Sequence, residues 1–233
     1  MKTLGLLGGM SWQSTVTYYQ EINRRIREVK GGLHSAPLLM YSFDFEEIAE
    51  LQHAGEWNKA GALLNEAATR LMLAGADGIV LCTNTMHFVS HGIEGETKLP
   101  LLHIADFTAE RISKAGFKRV GLLGTRFTME KDFYKTRLAE KFGLEVVVPD
   151  EQNREAIHNV IYTELVNGII NNSSREIYRR VIAKLATAGA ECLILGCTEI
   201  GLLIDEASSE LPIFDTTRIH ATAAADWAME KKT

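Results

Sequence analysis

Short, unbroken apolar runs alternate along the chain with longer segments in which apolar residues recur every three or four positions. The runs have the length of strands, and an unbroken apolar character is typical of strands that are covered on both faces. The predicted strands are residues 4–7, 38–43, 78–82, 101–104, 119–123, 145–148, 192–195 and 213–214. The predicted helices include residues 57–73, 107–115, 131–142, 151–169, 174–188 and 217–229. This alternation predicts an α/β protein with doubly wound, mostly parallel sheets flanked by helices.

Three segments of the first half of the chain recur in the second half, in the same order. Residues 4–8 resemble 120–124, residues 75–81 resemble 189–195, and residues 99–102 resemble 211–214. The offsets are 116, 114 and 112 residues, so the chain holds a duplicated unit with the size of a small domain. We therefore expect two pseudosymmetric lobes, one formed by residues 1–100 plus 212–233 and the other by residues 101–211. The last predicted strand and helix would return to complete the first lobe.

Polar and thiol side chains follow the matched strands of the two halves. Ligands of doubly wound sheets gather at the carboxyl ends of the strands, which is where these side chains fall. The ungapped alignment of the repeat places Cys197 opposite Thr83 and leaves Cys82 opposite Gly196. A hydroxyl therefore stands at the mirror position of a thiol, and this pair is the strongest candidate for chemistry.

The cysteines at 82, 192 and 197 differ in their expected roles. Cys82 is one position too early to replace Thr83, because a shift of one residue along a strand points the side chain to the opposite face. We expect Cys82 and Cys192 to be buried core thiols, since free cysteine behaves as a small hydrophobe. Cys197 follows a glycine at a strand end and precedes two polar residues, so we interpret it as a catalytic thiol.

Composition narrows the class of protein. The 233 residues are 46% hydrophobic, enough for one or two cores, and the net charge of −5 gives no electrostatic reason to bind nucleic acid or an anionic membrane. No apolar stretch approaches the roughly 18 residues of a spanning helix. Three cysteines do not make a disulfide framework. We expect a soluble, cytoplasmic protein.

Four motifs together resemble the aspartate/glutamate racemase superfamily, in its aspartate racemase branch. They are GGMSW at 8–12, GLHSA at 32–36, NTMH at 84–87 and GCTE at 196–199. The resemblance implies an amino-acid racemase that uses neither pyridoxal phosphate nor another cofactor, with two pseudosymmetric α/β lobes, an active site in the cleft between them and a homodimeric assembly. In that family a cysteine from each lobe faces the substrate Cα from opposite sides, so that one group removes a proton while the other supplies one.

Thr83 stands where the family has its first cysteine. By the resemblance, Cys197 is the base that acts on the L-enantiomer, with a thiol pKa that can be lowered towards neutrality. Thr83, or water held by it, would serve the other face less efficiently, because a hydroxyl is a poor base. The sequence therefore predicts a racemase with a preference for the L-enantiomer.

The expected substrate-binding residues come from the strand-end turns and from the resemblance. The symmetry of the repeat places Arg126 near the cleft, where its charge would suit a side-chain carboxylate of the substrate. By the resemblance, Val166 stands where the aspartate racemase branch has a lysine. The substrate is therefore aspartate, glutamate or a similar small polar amino acid. Gln52 is expected in a loop that covers the distal end of the substrate. His87 fits the family motif, but a capping or packing role is about as frequent for such a histidine. The full set is Met10, Gln52, Asn84, Thr85, Thr125, Arg126, Thr198 and Glu199.

Two other functions stay open at this stage. A one-thiol decarboxylase or cis–trans isomerase of small dicarboxylates would suit the missing first cysteine. A two-lobed small-molecule binding protein would suit the architecture without any catalysis.

Overall fold

The computed structural model describes residues 1–231, which contain two four-stranded sheets. All strands pair in parallel, with the order β2-β1-β3-β4 in the first sheet and β6-β5-β7-β8 in the second. The strands are β1 Leu4–Gly8, β2 Leu38–Ser42, β3 Gly78–Leu81, β4 Leu101–Leu102, β5 Arg119–Gly124, β6 Glu145–Val147, β7 Cys192–Gly196 and β8 Ile213–Asp215. Each predicted strand is present, and the doubly wound parallel architecture is confirmed. The identical strand order in both sheets agrees with the sequence repeat.

Helices connect the strands and cover the sheets. They are α1 Trp12–Lys30, α2 Phe45–His53, α3 Trp57–Leu73, α4 His91–Thr97, α5 Ile104–Ala115, α6 Arg126–Glu130, α7 Asp132–Phe142, α8 Glu151–Thr163, α9 Asn172–Thr187, α10 Ile200–Leu203 and α11 Thr216–Met229. Short 3₁₀ helices occupy Thr85–Val89, Leu165–Asn167 and Glu206–Ser208. Within residues 1–231, no helix is both long enough and apolar enough to cross a membrane.

Helix α8 ends earlier than the predicted residue 169. The backbone leaves helical geometry at Glu164, tightens into a 3₁₀ turn and stops at Gly168, whose φ of 72° is left-handed. A left-handed glycine is a common helix terminator, because only glycine adopts that conformation without a steric penalty. The predicted single helix is therefore a helix followed by a tight turn.

The chain divides into two compact units, one formed by residues 1–104 and the segment from His220 onward, the other by residues 105–219. These bounds differ from the expected ones, because both edge strands stay with their own sheets. Leu101 and Leu102 pair with β3, and β8 pairs with β7 through Ile213, Phe214 and Asp215. The prediction that strand 213–214 returns to the first lobe was wrong. Only the part of α11 that begins at His220 rejoins the first unit.

Candidate active site

The turn after β1 brings the backbone close to its neighbours. Gly9 has a φ of +87°, and a Cβ there would lie 2.3 Å from the carbonyl oxygen of Phe43, so the position admits only glycine. The Gly9 amide donates to Oγ1 of Thr15 at 2.9 Å, and Ser11 caps α1. This arrangement leaves the next residue, Met10, buried in the apolar cluster of the first unit.

Thr83 lies at the carboxyl end of the neighbouring strand. Leu7 of β1 and Leu81 of β3 are register partners, and the Cys82 amide continues the pairing with a bond to the Leu7 carbonyl at 2.9 Å. The chain then turns sharply, since the Thr83 amide donates to the Leu81 carbonyl at 2.9 Å. Thr83 is buried, as are Asn84 and Thr85 at the start of the following 3₁₀ helix. The turn at 83–85 thus follows a strand end, as the sequence predicts, and the structure shows that this strand pairs with β1.

Gln52 is not in a loop. It lies in α2, whose first turn is capped by Asp44, and it belongs to the buried face of that helix with Ile48 and Ala49. Its side-chain amide donates to Sδ of Met86 at 3.0 Å, so Gln52 contacts the 3₁₀ helix that follows Thr83. The predicted position in a covering loop was wrong, because an N-capped amphipathic helix occupies residues 45–53.

The second unit repeats this arrangement with different side chains. Gly124 and Gly196 are register partners at the ends of β5 and β7, and a Cβ on Gly124 would lie 2.8 Å from the Gly196 carbonyl oxygen. Thr125 is buried and caps α6, where its hydroxyl accepts from the Thr128 amide at 3.3 Å. Arg126 is the first residue of α6, and its side chain is exposed to solvent.

Cys197 and Glu199 form the most distinctive contact of the site. The Cys197 thiol donates to Oε2 of Glu199 at 3.0 Å, and the Thr198 hydroxyl donates to the same oxygen at 2.8 Å. All three residues are buried. One buried carboxylate oxygen therefore accepts hydrogen bonds from both a thiol and a hydroxyl.

This environment raises the pKa of Cys197 well above its ordinary value. Burial is the largest cause, followed by the charge of the Glu199 carboxylate and its hydrogen bond to the thiol, while the backbone amides of Thr198 and Glu199 act in the opposite direction. The expectation of a thiol pKa lowered towards neutrality is therefore not met. The resting sulfur is a thiol that faces a proton acceptor, and the two amides can stabilise a thiolate when one forms.

The other two cysteines are free and buried, as expected. Burial raises the pKa of Cys82, and it raises the pKa of Cys192 to about 12. The Cys82 thiol points back to the carbonyl oxygen of Val80 at 3.7 Å. Neither environment favours a thiolate at neutral pH.

Residues of α8 and of the turn after it form part of the surroundings of Cys197, Glu199 and Arg126. Val166, the position for which the family resemblance implied a lysine, packs against the apolar cluster that includes Cys197. Burial raises the pKa of Tyr162, and the nearby Glu199 carboxylate acts in the same direction. His158 accepts from the Arg126 amide at 3.2 Å and lies 4.7 Å from the Tyr162 ring. Sequence reasoning missed Tyr162 and His158, because their spacing in α8 is that of ordinary packing residues.

Each unit thus carries its own share of the predicted residues. Most of them lie in turns that follow strands, and Gln52 lies on α2, where it contacts the 3₁₀ helix after Thr83. In the first unit these residues are Met10, Gln52, Thr83, Asn84 and Thr85, and in the second they are Thr125, Arg126, Cys197, Thr198 and Glu199.

Comparison with known proteins gives a consistent result over the whole chain. A family model described as Asp/Glu/Hydantoin racemase matches residues 7–224. A Yersinia pestis protein, crystallised as a candidate Asp/Glu racemase, is 54% identical and superimposes with a TM-score of 0.92, covering 99% of this chain and 100% of its own. An aspartate racemase homologue from Pyrococcus horikoshii is 36% identical, with a TM-score of 0.84 and coverage of 99% and 100%. The broad-specificity amino-acid racemase RacX of Bacillus subtilis (strain 168) is 24% identical over 221 residues, which is 92% of each chain.

Proposed function

The chain belongs to the Asp/Glu/hydantoin racemase family and is a racemase, and from that premise we propose that it racemises small polar amino acids without pyridoxal phosphate. The proposed substrates are aspartate, glutamate or a similar amino acid, with a preference for the L-enantiomer. Within this proposal the protein is cytoplasmic and binds neither nucleic acid nor membrane, as its composition and net charge predict. It is a homodimer, as the family resemblance implies.

The observation that carries the proposal is the hydrogen bond from the Cys197 thiol to Glu199 at 3.0 Å. In the proposed reaction the thiol passes its proton to the Glu199 carboxylate as the sulfur takes the α-proton of the L-substrate. The products of this step are a thiol, a carboxylic acid and a carbanion at Cα. Burial is the larger obstacle to a thiolate, and the Glu199 charge is the next; protonation of Glu199 removes that second obstacle and makes the sulfur more basic.

Thr83 is proposed to serve the opposite face of Cα, as the resemblance implies. Its hydroxyl, directly or through water, delivers a proton to the carbanion and recovers one from solvent. The reverse reaction would require Thr83 to remove a proton from the D-substrate, and a hydroxyl does this poorly. The proposed preference for the L-enantiomer follows from this difference between a thiol and a hydroxyl.

Arg126 supports the choice of an acidic or polar substrate. Its side chain is exposed at the start of α6, next to the Thr125 cap. A guanidinium can bind a substrate carboxylate through two parallel hydrogen bonds. Val166 makes the site less specialised for aspartate alone, which agrees with the broad specificity stated for the relative from Bacillus subtilis.

A chiral-chromatography screen of L- and D-amino acids tests the proposal. Wild-type protein should form the D-enantiomer of at least one small polar L-amino acid, and Cys197→Ser should form none, because a hydroxyl is a far weaker base than a thiol. Cys192→Ser is the matched control, since it changes another buried thiol of the same unit and should stay active. Carbon dioxide release from a malonate-type substrate, with no racemisation of any amino acid, would contradict the proposal and identify a decarboxylase.

A further inference from the structure

His87 makes two hydrogen bonds that join the Thr83 turn to a second part of the backbone. The residue is buried in the 3₁₀ helix Thr85–Val89. Its Nδ1 lies 2.7 Å from the carbonyl oxygen of Thr83, and its Nε2 lies 3.4 Å from the backbone nitrogen of Ile104. Ile104 begins α5 and is the last residue of the first unit before the chain enters the second.

These partners fix the tautomer of the ring. A backbone N–H can only donate, so Nε2 is the acceptor of the Ile104 bond and carries no hydrogen. A carbonyl oxygen can only accept, so Nδ1 carries the hydrogen and donates to Thr83. His87 is therefore neutral, with the hydrogen on Nδ1, and both of its ring nitrogens are occupied by backbone groups.

The carbonyl that His87 holds belongs to the residue proposed to act on the second face of the substrate. The peptide after Thr83 leaves the strand in a sharp turn, so the sheet ladder does not fix it, and the hydrogen bond from His87 does. The ring is itself held in place, because it packs against the His103 ring at 4.4 Å between centroids. A change of about 1 Å in the position of a reacting group can lower a rate about a hundredfold.

We propose that His87 is a positioning residue for Thr83: it holds the Thr83 turn against the start of α5 and thereby sets the efficiency of proton delivery on the Thr83 face. The proposal rests on the proposed racemase function. It assigns His87 no contact with the substrate and no proton transfer of its own.

Two substitutions separate the two hydrogen bonds. The side-chain amide of His87→Asn can take the place of Nδ1 and donate to the Thr83 carbonyl, but it loses the acceptor for Ile104. The side chain of His87→Gln can take the place of Nε2 and accept from Ile104, but it loses the donor to Thr83. His91→Gln is the control, because His91 is an exposed histidine at the start of the next helix.

The readout is the fate of L-substrate in deuterium oxide. Deuterium that appears in the L-enantiomer reports the Cys197 face, after the abstracted proton has exchanged with solvent, and deuterium in the D-enantiomer reports the Thr83 face. We expect His87→Gln to lower the ratio of inverted to retained product by about tenfold or more, with KM changed by less than about twofold. His87→Asn should keep the ratio within about threefold of the wild-type value, as should His91→Gln.

An unchanged ratio in His87→Gln, or an equal fall in His87→Asn and His87→Gln, would overturn the proposal. If His87→Gln does not fold, ¹⁵N chemical shifts of the His87 ring in the wild-type protein still test it, because a hydrogen found on Nε2 instead of Nδ1 contradicts the assignment. Failure of the proposed function gives a different result, namely no deuterium in either enantiomer with wild-type protein.

Discussion

His220 is expected to make the first unit sensitive to acid. It is fully buried, and its Nε2 lies 2.6 Å from the carbonyl oxygen of Leu102, so this nitrogen carries the hydrogen and donates it. Its Nδ1 accepts from the Tyr18 hydroxyl at 2.8 Å. The neutral ring thus satisfies both of its nitrogens, whereas a protonated ring would bring a charge into the core. Burial lowers the pKa of His220 to about 4, although the hydrogen bond to Leu102 acts in the opposite direction.

The sign and size of the effect follow from this pKa. In the unfolded chain the histidine pKa is about 6.5, so between pH 6.5 and 4 the unfolded state binds a proton that the folded state does not. The free energy of unfolding therefore falls as the pH is lowered through this window, and it keeps its full value with respect to His220 above about pH 6.5. At about 1.4 kcal/mol for each pH unit between the two pKa values, the loss from His220 is about 3 kcal/mol.

Tryptophan fluorescence can isolate this effect, because all three tryptophans, Trp12, Trp57 and Trp227, lie in the unit that contains His220. Urea unfolding of wild type and His220→Gln would be compared from pH 7.5 to 4.5. The variant should be less stable at pH 7.5 by about 1–3 kcal/mol, since the buried Tyr18 hydroxyl loses its acceptor, but it should lose less stability with acid. The control, His91→Gln, should follow the wild type. Parallel pH profiles of wild type and His220→Gln would refute the reasoning.

Two further substitutions test the assignment of the thiols. Glu199→Gln removes a charge that disfavours the thiolate, so the pKa of Cys197 should fall and iodoacetamide should alkylate this thiol from a lower pH. Racemisation should decrease, because the proton acceptor is lost. Alkylation that begins at a higher pH than in the wild type would contradict this account of the thiol. Cys82→Ala should lower the free energy of unfolding by about 1 kcal/mol and leave racemisation intact. Inactive but folded Cys82→Ala protein would move the catalytic register one residue earlier.

The sequence predicted most of the sheet structure because buried parallel strands are read directly from unbroken apolar runs. The repeat also contained the correct position of the last strand, since residues 211–214 match residues 99–102, which end the first sheet. The expected lobe boundary nevertheless placed that strand in the first lobe. Which sheet a two- or three-residue edge strand joins depends on its hydrogen-bond partners, and these are set by the tertiary structure.

Side-chain orientation was the main part of the site that the sequence could not supply. The spacing of Cys197 and Glu199 shows that the two residues are close in the chain, but it does not show that the carboxylate accepts the thiol hydrogen and raises the pKa of Cys197. Gln52 was assigned to a loop by resemblance, although Ile48 and Ala49 have the spacing of a helix face and Asp44 is a good N-cap. For His87, the motif located the residue, but only the distances to Thr83 and Ile104 indicate a role.

The most direct test of the central claim is the rate of α-proton exchange for each enantiomer, read by proton NMR as loss of the Cα–H signal in deuterium oxide. With aspartate or glutamate as substrate, wild-type protein should exchange the L-enantiomer much faster than the D-enantiomer, because the proposed mechanism has the Cys197 thiol on one face of Cα and the Thr83 hydroxyl on the other. Thr83→Cys should gain exchange on the D-enantiomer, since a thiol then serves both faces. Equal rates for the two enantiomers in the wild-type protein, or no gain in Thr83→Cys, would contradict the account.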